Sequence, residues 1–133
     1  MSTELFYLTL VALLAASMWI PFIVGVNLAP NKDFTSFATP PDLTQMQPWV
    51  QRANRAHLNL IEQSAPFAVL VLLAAHLGVS TPATALAAAC FFWLRVAHAV
   101  GMISGWARLP LRPLIFTAGW VCCLVIGWAI LSA

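Results

Sequence analysis

Formal charge is what this chain has least of. Of its 133 residues, 8% are Asp, Glu, Lys or Arg, six basic against four acidic, while 62% are apolar. An ordinary globular domain carries about 25% charged and about 45 to 50% apolar residues. So few charged side chains cannot cover a soluble surface, and the mean hydropathy of +0.89 agrees. The scarcity is also uneven: 27 residues without formal charge separate Glu4 from Lys32, 32 separate Glu62 from Arg95, and 21 follow Arg112. Each stretch meets the requirement of about 20 helical residues for crossing the hydrocarbon core. The net charge of +2 forms no basic patch on a soluble surface, which argues against a nucleic-acid partner. Cys90, Cys122 and Cys123 lie in apolar runs without CxxC or His-paired spacing. No metal site is expected from them, and they read as small membrane-core residues. The first run also lacks a basic n-region and continues to about residue 29, a poor fit to a removable signal peptide.

What is present predicts an all-α fold, a polytopic transmembrane four-helix bundle forming one domain over residues 1–133. The runs place helices at about 4–28, 49–77, 81–106 and 114–131. Pro21 is expected to kink the first helix, and Pro48 is suited to the first turn of the second. Gly78, Ser80 and Pro82 mark a short turn, and Arg108, Pro110, Arg112 and Pro113 interrupt the last boundary. Lys32, Arg52, Arg55, Arg108 and Arg112 flank the first and third connections, whereas the termini and the middle turn carry no Lys or Arg. The positive-inside rule then puts those two connections in the cytoplasm and both termini on the far side of a cytoplasmic or inner membrane. A surface-lying amphipathic helix over residues 49–62 is the competing reading.

In the second helix, Arg52, Arg55, Asn59, Glu62 and Pro66 recur at spacings of three, four, three and four. At 100° per residue they share one stripe roughly 80° wide, with His57 well off it. The bland reading of Arg52 and Arg55 is that they snorkel to the interface. Glu62 lies about 20 Å into the helix, where a carboxylate must be protonated, paired or hydrated. Arg95, halfway through the third helix and on one face with His98 and Met102, is the expected partner, with Arg112 as the other candidate. Such a pair either fixes helix packing alone or also lines a ligand pocket. The surplus of Arg52, Arg55, Arg95, Arg108, Arg112 and His98 over the single Glu62 favours a pocket for an anionic ligand entering from the cytoplasm. Apolar walls beside it would suit a membrane lipid or another hydrophobic small molecule.

The run RANRAHLNLIEQSAPF, Arg52 to Phe67, with RVAHAVG, Arg95 to Gly101, and RLPLRP, Arg108 to Pro113, resembles the membrane-associated proteins in eicosanoid and glutathione metabolism, the MAPEG family. The resemblance covers all four spans in order. It implies four-helix subunits assembled as a homotrimer, with glutathione bound between subunits near the cytoplasmic side. It also implies an activity among glutathione transferases, peroxidases and lipid-mediator synthases, or the role of a non-enzymatic lipid-presenting relative. By this resemblance Asn59 and Glu62 match positions that hold glutathione through its amide and amino groups. Arg55 falls in the helix-two polar network, Arg95 and His98 match pocket positions, and Arg108 and Arg112 match the basic turn, with Arg112 approaching the thiol. The chain departs from the pattern at Met102, where the glutathione-using synthases carry a tyrosine, and at Leu58, where a basic residue is common. Its one tyrosine is Tyr7.

These readings give a glutathione-dependent membrane transferase or peroxidase acting on lipophilic electrophiles or hydroperoxides, with Arg112 as the catalytic residue. The alternative is a non-catalytic lipid-binding or scaffold member of the same fold, which Met102 and Leu58 favour. A small transporter is the third reading, and the absence of a duplicated pattern counts against it.

Overall fold

The computed structural model describes residues 1–28, 42–106 and 109–133. Lys32 and Arg108 therefore lie outside the described residues. Helices α1 (Thr3–Ser17), α2 (Trp19–Leu28), α3 (Pro48–His76), α4 (Pro82–Ser104) and α5 (Leu111–Leu131) account for the architecture, with one 3₁₀ turn at Leu43–Gln45 and no strand among the described residues. Thr3–Leu28, α3, α4 and α5 are each long and apolar enough to cross a membrane.

Local chemistry sets the helix ends. The break in the first span falls at Met18, ahead of Pro21. Proline supplies no N–H to the carbonyl four residues earlier, here that of Ser17, so the helix parts one turn before the ring. Pro48 opens α3 and Pro82 opens α4. Thr81 caps α4 in a reciprocal capping box, its hydroxyl accepting from Thr84 N at 3.1 Å while Thr84 Oγ1 accepts from Thr81 N at 2.8 Å. Gly105 ends α4 at φ +85°, a left-handed conformation that glycine adopts at little cost. The last helix begins at Leu111, not near 114 as the prolines implied, because Pro113 sits in its first turn, where a missing N–H breaks no helical bond. In the first connection Asp42 closes the 3₁₀ turn. Its carboxylate accepts from Thr44 Oγ1 and Thr44 N at 2.7 and 2.9 Å, which holds its pKa below the usual carboxylate range.

The buried face of α3 runs through Ala53, Ala56, Leu60, Gln63, Phe67, Val71 and Ala74, one residue on from the polar stripe. On α4 it runs through Ala88, Phe91, Arg95, His98, Ala99 and Met102. Small residues bring these backbones close, the usual basis of helix association in lipid, where packing replaces the hydrophobic drive. Large residues such as Leu13, Val69, Trp93 and Trp128 face outward. Two apolar layers result. One joins Val11, Phe67, Val71, Ala88, Phe91, Cys122 and Ile126, with Phe67 stacked on Phe91 at 3.9 Å. The other joins Met18, Ala56, Leu60, Ala99 and Met102. Gln63, Arg95 and His98 lie between them in sequence order along α3 and α4, as a polar layer within the bundle.

Candidate functional site

Arg95 anchors the polar layer and is only 1% exposed. Its Nη2 donates to the Ile115 carbonyl of α5 at 3.1 Å, and its guanidinium carbon lies 5.5 Å from the centre of the Phe91 ring one turn earlier. Gln63 reaches the next α5 carbonyl, Nε2 donating to Phe116 O at 3.4 Å. Both side chains converge on Gly119: a Cβ there would stand 2.8 Å from Arg95 Nη2 and 2.8 Å from Gln63 Oε1. The glycine is thus a notch that lets two polar side chains press against α5. Arg95 Nε and Nη1, Gln63 Oε1 and His98 Nε2 are buried without a hydrogen-bond partner among the described residues.

The expected Glu62–Arg95 pair does not form among the described residues. Glu62 is exposed on the outer side of α3, whereas Arg95 is enclosed and bonds to a backbone carbonyl. The reason is angular. One residue turns the helix by 100°, so Gln63 faces Arg95 while Glu62 faces the seam between α3 and α5. Arg112 is not bonded to Glu62 either: it is half-buried and lines a groove with Asn59, Phe116 and Thr117.

The remaining stripe residues separate by role. Arg52 donates through Nε to Met102 O at 3.0 Å and through Nη2 to Ile103 O at 3.3 Å, satisfying carbonyls at the end of α4, where a cation also complements the helix dipole. This is a directed cap, not the interfacial snorkelling of the bland reading. Arg55 is exposed, and Asn59 is buried at the α3–α5 boundary. Met102 packs in the second apolar layer beside Met18. Tyr7 lies beside Phe92 of α4, toward the α3–α4 turn, far in sequence register from the Asn59–Arg112 groove.

Two grooves line the α3–α5 seam. The first, about 350 Å³, contains Asn59, Arg112 and Thr117 and is the more polar. The second, about 590 Å³, begins at Glu62 and Gln63 and passes Pro66, Leu70, Trp120 and Trp128. Both helices ascend from their connections in the same direction, so the grooves follow one another, polar toward the connections and apolar beyond. Gln63 and Gly119 were not singled out from the sequence. Their signal is an amide on the buried stripe and a glycine in the middle of an otherwise bulky span.

A membrane four-helix bundle with a cationic interior layer and an amphipathic seam is the class these features define. The MAPEG family model matches residues 6–132, and the chain belongs to the MAPEG family. Membership makes it an integral membrane protein related to glutathione and eicosanoid metabolism. No curated protein matches the chain.

Proposed function

We propose that the protein is a glutathione-dependent membrane transferase or peroxidase acting on lipophilic electrophiles or hydroperoxides. The observation that carries this reading is the α3–α5 seam, in which Asn59 and Arg112 line one groove and an apolar groove follows. Glutathione offers amides and carboxylates to the Asn59 amide and the Arg112 guanidinium, and an ammonium group to Glu62. The donor set therefore fits the tripeptide. When bound, glutathione supplies a thiolate nucleophile. Arg112 stabilises negative charge at that sulfur, Asn59 orients the peptide, and the apolar groove admits the lipophilic partner from the bilayer and excludes water. Arg95 and His98, enclosed in the subunit, hold α5 and the floor of the site in place. Arg55, exposed on α3, contributes to the polar network beneath the tripeptide, at the boundary with a neighbouring subunit of a homotrimer. The basic connections face the cytoplasm and both termini face away.

A second reading, a non-catalytic lipid-binding subunit, is favoured by Met102, whose thioether donates no hydrogen bond and is buried in the apolar layer. Conjugation of reduced glutathione to chloro-dinitrobenzene separates the two. The enzyme reading requires turnover that Glu62→Gln and Arg112→Ala both depress. Absence of glutathione binding by the wild type up to several millimolar removes it.

A further inference from the structure

Glu62 and Pro66 give the apolar groove an anionic end. The Glu62 carboxylate lines the groove, beside Gln63, whose amide is turned inward, with Nε2 donating to the Phe116 carbonyl and Oε1 against the Gly119 notch beside Arg95. Pro66 sits inside α3 and offers no N–H to the Glu62 carbonyl four residues earlier, so that backbone oxygen is a second acceptor on the same turn. The walls beyond, including Leu70, Trp120 and Trp128, are apolar or aromatic, and no Lys, Arg or His is among the described lining residues. A carboxylate flanked by apolar surface is costly without a positive partner, and charge-assisted N–H donors match it best. Indole faces add attraction for a cation and none for an anion.

We propose that this groove binds a lipophilic primary amine, its ammonium at Glu62 and its chain along the wall toward Trp128. The volume of about 590 Å³ is in the range of small-molecule pockets. An acyl chain ending in a carboxylate would set like charge against Glu62 and leave the Glu62 carbonyl without a donor. The inference goes beyond the glutathione reading and does not depend on it. One carboxylate serves one ammonium at a time, so glutathione held through Glu62 would compete with the amine.

The test uses the full chain in phosphatidylcholine nanodiscs and nitroxide-labelled stearylamine, stearic acid and stearyl alcohol, with saturable quenching of tryptophan fluorescence as the readout. The amine should bind about tenfold or more tightly than the acid and the alcohol, the scale of one charge-assisted contact. Glu62→Gln should bring the amine to the level of the alcohol while leaving the alcohol within about twofold, as expected when a charge but little shape is lost. Gly127→Leu, which adds bulk to the groove wall, should weaken all three and keeps the test open if the Glu62 variant does not fold. Equal binding of acid and amine, or an amine affinity untouched by Glu62→Gln, overturns the proposal. Titration of reduced glutathione into the same discs separates the two readings. Amine selectivity without glutathione binding leaves this inference standing and removes the proposed function, and the opposite pattern does the reverse.

Discussion

Two buried polar clusters occupy the bundle, and they are built differently. Where α1 meets the start of α4, Glu4 is 3% exposed, and its Oε1 accepts from Thr84 Oγ1 at 2.6 Å and from Ser80 Oγ at 3.0 Å. Thr84 belongs to the capping box of α4, and Glu4 lies in the first turn of α1. The carboxylate thus sits at two helix N-termini, where partial positive charge favours an anion. In the middle of the bundle, Arg95 has a single carbonyl partner and two unpartnered nitrogens, beside an unpartnered Gln63 oxygen and His98 nitrogen. The first cluster ties α1 to the α3–α4 turn through Oε1, which takes both hydroxyls, while Oε2 is buried without a partner among the described residues. The second leaves hydrogen-bonding capacity unused next to the seam assigned to ligands. Both clusters leave polar capacity unmet, one carboxylate oxygen in the first and four atoms in the second, and the larger share lies beside the seam.

The largest expected effect lies on the seam side of this comparison. Arg112→Ala should lower glutathione conjugation about 100-fold, the scale of a lost charge-stabilising donor. Its thermal midpoint should stay near that of the wild type, since Arg112 lines a groove and is not core. Turnover at the wild-type rate would break the assignment. Gly119→Ala comes next. The added methyl meets Arg95 and Gln63 at 2.8 Å, so chemical denaturation should show a loss of about 1 to 3 kcal/mol, typical of overpacking. Shortening Gln63 to Ser in the same chain should recover part of that loss, and strict additivity of the two changes would refute the notch.

At the other cluster, Glu4→Ala strips Ser80 of its acceptor and leaves the Thr84 hydroxyl only the Thr81 carbonyl, and should cost about 1 to 3 kcal/mol of stability. Glutathione affinity should be unaffected, which ligand titration would check. The smallest effect is expected for Arg95→Met. Replacing a poorly partnered buried charge with an apolar side chain of similar length should alter stability by less than about 1 kcal/mol, in either direction. A collapse of the Arg95→Met fold comparable with that of Glu4→Ala would erase the distinction between the clusters.

The sequence disclosed the helices well because each apolar run is bounded by proline, glycine or a capping threonine, and those residues act locally. It put Asn59 and Glu62 on one face for a related reason: polar groups at three- and four-residue spacing define a face of their own helix. It could not show which neighbour that face meets. The rotation of α3 about its axis depends on packing of Ala53, Ala56, Leu60 and Phe67 against other helices, and a one-residue difference exchanges Gln63 for Glu62 opposite Arg95. Arg52 illustrates the same point, since its partners are carbonyls some fifty residues away at the end of α4. The start of α5 was misplaced because Pro113 reads as a breaker unless its place in the first turn is known.

Calorimetric titration of reduced glutathione into the wild-type protein and the Asn59→Leu/Arg112→Ala double variant, both in lipid nanodiscs, tests the central claim most directly. Saturable heat from the wild type, lost in the double variant while its circular dichroism stays fully helical, is the predicted result. Equal heats from both proteins, or none from the wild type at several millimolar ligand, would contradict the assignment of the α3–α5 seam.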